Sequence, residues 1–182
     1  IYLLDISNSY YELIASSNDY QMLNSINISD IEYFDFNKCF LLSDNSKNQI
    51  FELDPFNKTL NIIVNEGFSG KGCIRNPHQI ISLKNQFIVF DVDNYLIQFF
   101  DSNYQWKFQI GGKGKEIHKL DMAYSGVIDK EYIYICDSNN DRIVKFDLNI
   151  KNSELFVCSK YKEGILKRPL KIAEDYNGYI YV

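Results

Sequence analysis

The chain has 182 residues, of which 46% are hydrophobic and 15% aromatic, enough material for a core and too much for global disorder. Its 19 Lys and Arg against 24 Asp and Glu leave a formal charge of −5, which argues against wholesale nucleic-acid binding but leaves room for a local basic patch. No apolar run reaches the roughly 18 to 20 residues of a membrane helix, so no membrane insertion is expected of this segment.

In chain order, "IYLLDISNSYYELIA" (1–15) opens with two short apolar runs around polar turn residues. "FLLSDNSKNQIFELD" (40–54) repeats the arrangement, followed by the apolar runs "LNIIV" (60–64) and "HQIISL" (78–83). "FIVFDVDNYLIQFFD" (87–101) is a third copy, followed by "QWKFQI" (105–110) and "YSGVID" (124–129). The clearest copy is "IYICDSNNDRIVKFD" (133–147), with "ELFVC" (154–158), "LKIAED" (170–175) and a final "YIYV" behind it. Ile133 and Ile135 alternate as in a half-buried strand. Ser138, Asn139, Asn140 and Asp141 are turn residues, because their side chains bond local backbone and tolerate tight dihedrals. Each copy therefore reads as a β-hairpin.

Laid over one another, the copies superpose Asp5, Asp44, Asp91 and Asp137, spaced by 39, 47 and 46 residues. Tyr11, Ile50, Ile97 and Ile143 coincide as well, and so do the closing Asp54, Asp101 and Asp147. Each unit adds two more strands to the hairpin. Four short strands per unit, few prolines and no 3.6-residue periodicity make the fold class all-β, a β-propeller of four-stranded antiparallel blades. The units run about 1–39, 40–86, 87–131 and 132–178, with a further one beginning at 179. Closure takes about six blades of this width, so the chain is expected to be part of a longer protein. A closed four-bladed ring, with the terminal strands sharing one blade, is the alternative.

The stretches "GFSGKGCIRNPHQIISLKNQFIVFDVDNYLIQFFDSN" and "GGKGK…YIYICDSNNDRIVKFD" resemble NHL repeats. That pattern is a Gly-rich loop, a Pro-led inner strand, a hydrophobic strand ending in Asp and an Asn-x-x-Arg-Ile strand. The resemblance covers essentially the whole chain and is closest from Gly111 to Asp147. The Arg of the Arg-Ile pair survives only as Arg142, its counterparts being Tyr10, Gln49 and Leu96. The resemblance implies a six-bladed propeller whose inter-blade loops and hairpin turns share one face, the usual ligand side. Aligning the entries to the inner strands puts Ile31, His78, Tyr124 and Lys171 around the channel mouth.

Catalytic and metal signatures are sparse. Cys39, Cys73, Cys136 and Cys158 contain no Cys-x-x-Cys pair, and Cys39 and Cys136 read as small buried thiols. A metal-dependent lyase of this fold would show several His at the mouth, and only His78 lies there. The marker aspartates read as strand-ending residues that cap their own turns rather than as a carboxylate ring. "GGKGK" (111–115) lacks the Ser/Thr and the helix of a phosphate loop. No metal, cofactor or catalytic set is therefore assigned.

Charge distribution says more. Residues 1–37 hold no Lys or Arg, whereas the inter-blade loops hold nine: Lys71, Arg75, Lys113, Lys115, Lys119, Lys160, Lys162, Lys167 and Arg168. Glu66, Glu116, Asp121 and Glu163 oppose them. The expected function is a non-catalytic module that recognises a protein or peptide through this face. Its binding residues would be Lys71, Arg75, His78, Lys113, Lys115, Tyr124, Arg142, Lys167, Arg168 and Lys171. An RNA reader using the same cations with Phe68, Tyr104 or Tyr161 for stacking is one alternative. A propeller-fold lyase or lactonase with ligands in further blades is the other.

Overall fold

The computed structural model describes residues 25–65, 71–149 and 166–182, together with the backbone of three strands outside those ranges. Two of these, β1 (Tyr2–Asp5) and β2 (Tyr10–Leu13), form a hairpin. Three four-stranded antiparallel blades follow. The first is β3 (Ile28–Phe34), β4 (Cys39–Asp44), β5 (Gln49–Asp54) and β6 (Thr59–Val64). The second is β7 (Pro77–Leu83), β8 (Gln86–Asp91), β9 (Leu96–Asp101) and β10 (Trp106–Gly111). The third is β11 (Ala123–Asp129), β12 (Tyr132–Asp137), β13 (Arg142–Asp147) and β14 (Asn152–Cys158). A last hairpin pairs β15 (Ala173–Glu174) with β16 (Ile180–Tyr181). Each blade is a meander in which every strand pairs with its sequence neighbour. The fold is all-β and propeller-like, as the repeat predicts. Among the described residues the first and last hairpins are separate two-stranded sheets, not the shared blade that the four-bladed alternative requires.

The blades stack through their faces. The middle strands are buried on both sides, so β9 reads Leu-Ile-Gln-Phe-Phe with all five residues buried. The outer strand β10 instead alternates half-buried Trp106, Phe108 and Ile110 with exposed Lys107 and Gln109. Phe34, Leu41, Ile50, Ile80, Phe87 and Phe100 belong to the core between the first two blades. Ile88, Phe90, Ile97, Phe99, Ile135 and Val144 belong to the next. Ile50, Ile97 and Ile143 are fully buried equivalents. Cys39 and Cys136 are buried free thiols, and burial pushes them up to about 11 and about 12, so they are inert packing groups at neutral pH. The side chain of Cys158 lies outside the described residues.

The inner strands β3, β7, β11 and β15 lie side by side. In each complete blade the inner strand carries a bulge at one place: between Ile28 and Asp30, between Pro77 and Ile80, and between Ala123 and Gly126. One extra residue per blade strengthens the local twist and opens backbone N–H groups that the neighbouring blade then satisfies. Asp30 accepts the Ile80 N–H at 2.8 Å, and Gln79, its counterpart one blade on, accepts the Gly126 N–H at 2.7 Å. Neighbouring blades are thus joined by hydrogen bonds as well as by apolar packing.

Candidate functional site

The aspartates that end the second strand of each blade are fully buried. Asp44 caps its own turn as expected, accepting from the Ser46 and Lys47 N–H groups at 2.8 and 3.0 Å. Asp91 and Asp137 reach further. Each gives one oxygen to an N–H of the preceding inter-blade loop, Arg75 at 2.7 Å and Asp121 at 2.6 Å. The other oxygen accepts from a turn amide, Asn94 or Asn140, and from a clamping side chain on the next strand. In the third blade that clamp is Arg142, with Nε 2.7 Å from Asp137. Its remaining nitrogens donate to the carbonyls of Lys115, Glu116 and Lys119 at 2.7 to 2.8 Å. Arg142 is 8% exposed and its guanidinium is used up inside, so the structure removes it from the expected binding surface.

Gln98 does the same work in the second blade. It donates to Asp91 at 2.7 Å and to the Cys73 carbonyl at 2.6 Å, and accepts the Gly72 N–H at 3.2 Å. It lies two residues beyond the counterpart of Arg142, on the same strand face. In the first blade Gln49 turns to Asn65 and Phe51 holds the place of Gln98, leaving Asp44 Oδ2 buried without a hydrogen-bond partner. The aspartates are structural in the blades that carry a clamp.

A neutral clamp has a pH consequence. Burial pushes Asp91 up from 3.8 to about 6, against the opposing bonds from Asn94, Arg75 and Gln98. An acid whose folded-state value is raised adds stability below its unfolded value, and loses it as pH rises through the folded one. Between about pH 4 and pH 6 the protein should lose about 2 kcal/mol on this account. Urea melts of the parent and of Asp91→Asn across this range should diverge as pH rises. A pH-independent difference would show that folding does not shift Asp91.

The inter-blade loops and hairpin turns share one face, as expected. Val92 and Asp93 donate to the carbonyls of Asn76 and Arg75, Ser138 and Asn139 to those of Met122 and Asp121, and Gly112 to that of Tyr95. Lys71, Arg75, Lys113, Lys115, Lys167 and Arg168 are exposed there. Two of them bear on rings: Lys71 Nζ lies 5.7 Å from the Trp106 ring centroid and Lys113 Nζ 4.9 Å from that of Tyr95. The hairpin turns bring Asp93 and Asp141 to the same face, so its positive excess is smaller than the loops alone suggest. Lys160, Lys162, Glu66, Glu163, Phe68 and Tyr161 lie outside the described residues. Tyr104 is engaged between blades, accepting from the Asn37 amide at 2.8 Å.

At the entries to the inner strands His78 and Tyr124 meet edge to face at 4.8 Å, one in the bulge of β7 and the other in that of β11. Burial and the positive charge of Lys171 lower the His78 value, with Asp93 and Asp30 opposing, so the imidazole is neutral at pH 7. Ile31 is not their counterpart. The strand pairing gives that place to Ser29, whose hydroxyl donates to the Pro77 carbonyl at 2.8 Å. Further along the inner strands a cleft of about 400 Å³ lies between β7 and β11, with Glu32 and Glu174 among its walls. Glu32 spends one oxygen on the Ser82 N–H and hydroxyl, at 2.8 and 2.6 Å. Among the described residues no group of three or more His, Cys, Asp or Glu could hold a metal ion.

Fold and site together define an all-β, propeller-like domain with a loop face and a cleft along its inner strands. No known family and no curated protein sequence matches the chain. Solved structures do, at low identity. The extracellular domain of BT4673 from B. thetaiotaomicron matches with TM-score 0.62 and 8% identity, covering 85% of this chain and 19% of that one. A Bacteroides thetaiotaomicron protein of unknown function matches with TM-score 0.66 and 13% identity over 91% of this chain and 46% of that one. Kuenenia stuttgartiensis hydrazine synthase gives TM-score 0.62 and 12% identity over 83% and 40%. The chain thus spans less than half the length of these structures. The likeness shows the fold, and the NHL family itself is not matched.

Proposed function

We propose that this is a non-catalytic recognition domain of NHL-like design whose loop face binds a protein or peptide partner. The observation that carries the reading is how its polar groups are used. Asp91, Asp137, Gln98 and Arg142 spend their hydrogen-bonding capacity inside the blades, whereas the loop cations face solvent on a backbone pinned to the hairpin turns. A pinned surface loses little conformational entropy on binding, which suits recognition. The fold occurs both in an extracellular domain and in hydrazine synthase, so fold alone does not choose between binding and chemistry. Among the described residues His78 is the one histidine beside the inner-strand entries, which gives a lyase little to work with.

Panning a displayed random-peptide library against the protein, then mapping each selected peptide by hydrogen exchange, tests this. The expected footprint covers 112–122, 138–141 and 166–172. Absence of selected peptides, or footprints confined to the outer strands, would overturn the reading.

A further inference from the structure

Several residues of the loop face stand in a backbone conformation that their side chains do not favour, and one of them is an exposed cation. Arg168 has φ +45° and precedes Pro169, whose ring disfavours helical conformations in the residue before it. Positive φ is uncommon outside Gly, Asn and Asp. The slot is built by the repeat, since Asn76 (φ +53°) and Met122 (φ +60°) stand immediately before β7 and β11 in the same region. In two of these slots the N–H is held by the left-handed residue of the preceding hairpin turn. Asn76 donates to Asn48 Oδ1 at 2.7 Å, and Arg168 to Asp141 Oδ1 at 2.8 Å. Asparagine suits the slot and the first one carries it. Arginine does not, yet its side chain is exposed and its guanidinium makes no hydrogen bond or ion pair among the described residues.

The turn that holds Arg168 is held from its other side too. Asn140 donates to the Gly114 carbonyl at 2.8 Å, so Lys113 and Lys115 flank the turn opposite Lys167 and Arg168. The nearby acids are partly neutralised by local donors. Asp141 accepts the Arg168 N–H, and Asp121 accepts the Asn139 amide at 3.1 Å.

Resting on the binding reading above, we infer that this patch around the Ser138–Asp141 turn docks an acidic peptide segment, with Arg168 as its anchor. A guanidinium grips a carboxylate through two parallel bonds, and fixed loops hold the lysines ready around it. A peptide fits better than a nucleic acid. Tyr95 lies under Lys113 and Tyr104 is tied between blades, so neither offers a free ring for base stacking. Outside the patch the chain is acidic enough to repel a long polyanion.

The test measures binding of labelled oligo-glutamate, of oligo-glutamine of equal length, and of oligo-uridylate of equal charge. The parent should bind oligo-glutamate and not oligo-glutamine. Arg168→Asn should weaken that binding about tenfold, the value of one charge-assisted contact, while keeping or raising the melting temperature because Asn suits the slot. Lys113→Gln with Lys115→Gln, away from the slot, should weaken it several-fold. Unchanged affinity in Arg168→Asn, no binding of oligo-glutamate, or preference for oligo-uridylate would each overturn the inference. Selection of neutral peptides that still protect the loop face would sink this inference alone, whereas footprints away from that face would sink the binding reading with it.

Discussion

Replacing Arg142 with leucine should cost about 3 to 5 kcal/mol, the usual penalty for removing one partner of a buried ion pair. Asp137 would keep only the Asn140 amide and the Asp121 N–H, both too weak to hold a fully buried carboxylate. The carbonyls of Lys115, Glu116 and Lys119 would lose their donor at the same time, so the loop should loosen before the blade does. Hydrogen exchange should quicken at Gly114, Lys119 and Leu120, whose N–H groups close the loop on itself. Gln98→Leu offers the internal comparison. It removes a neutral clamp, and its cost should stay near 1 to 3 kcal/mol. Urea melts of the two variants decide it: equal losses, or a loss below about 1 kcal/mol for Arg142→Leu, would show that the charge on the clamp contributes nothing.

How these clamps read in sequence explains what was legible and what was not. The blades were legible because their signals are local. Period-two alternation marks Ile133 and Ile135, and turn chemistry marks Ser138 to Asp141, whatever the rest of the chain does. The role of Arg142 is not local. Alignment marks it as the surviving Arg of its pair, but only the fold shows the guanidinium turning inward to a buried carboxylate. Gln98 is harder still, because it does the same work from two residues further along the strand. The bulges also escape sequence reading, which is why Ile31 rather than Ser29 aligns with His78. The left-handed slots are half legible. Asn48, Asn76 and Asp141 advertise the conformation, whereas Tyr95, Met122 and Arg168 adopt it against their preference, Tyr95 at the end of a hairpin turn and the other two in the loop entering an inner strand.

Contacts between blades also set which residues the inner strands carry. Ser43, Phe90 and Cys136 occupy one place on the second strands, and each faces the inner strand of the following blade. The residue met there changes in the opposite sense. Ile172 packs in one cluster with Cys136, and Ser43 sits close enough to β7 to donate to the His78 carbonyl at 2.9 Å. Phe90 instead faces Gly126, where a Cβ would lie 2.6 Å from the Phe90 ring and 2.8 Å from the Tyr134 carbonyl oxygen. The pairing gives Ile80, Gly126 and Ile31 equivalent places, so glycine is here for space and not for backbone freedom. Gly126→Ile should therefore cost about 3 kcal/mol by overpacking. Phe90→Ser alone should cost a similar amount by opening a cavity. Together the two changes rebuild the small-and-large combination that the first two blades already use. The double variant should recover about 1 to 3 kcal/mol relative to the sum of the single ones, as residues in contact do. The Tyr134 carbonyl keeps the recovery incomplete, because backbone yields less than a ring. Strict additivity in denaturant melts would mean that Phe90 and Gly126 do not share one space, and that the blades meet at this point in some other way.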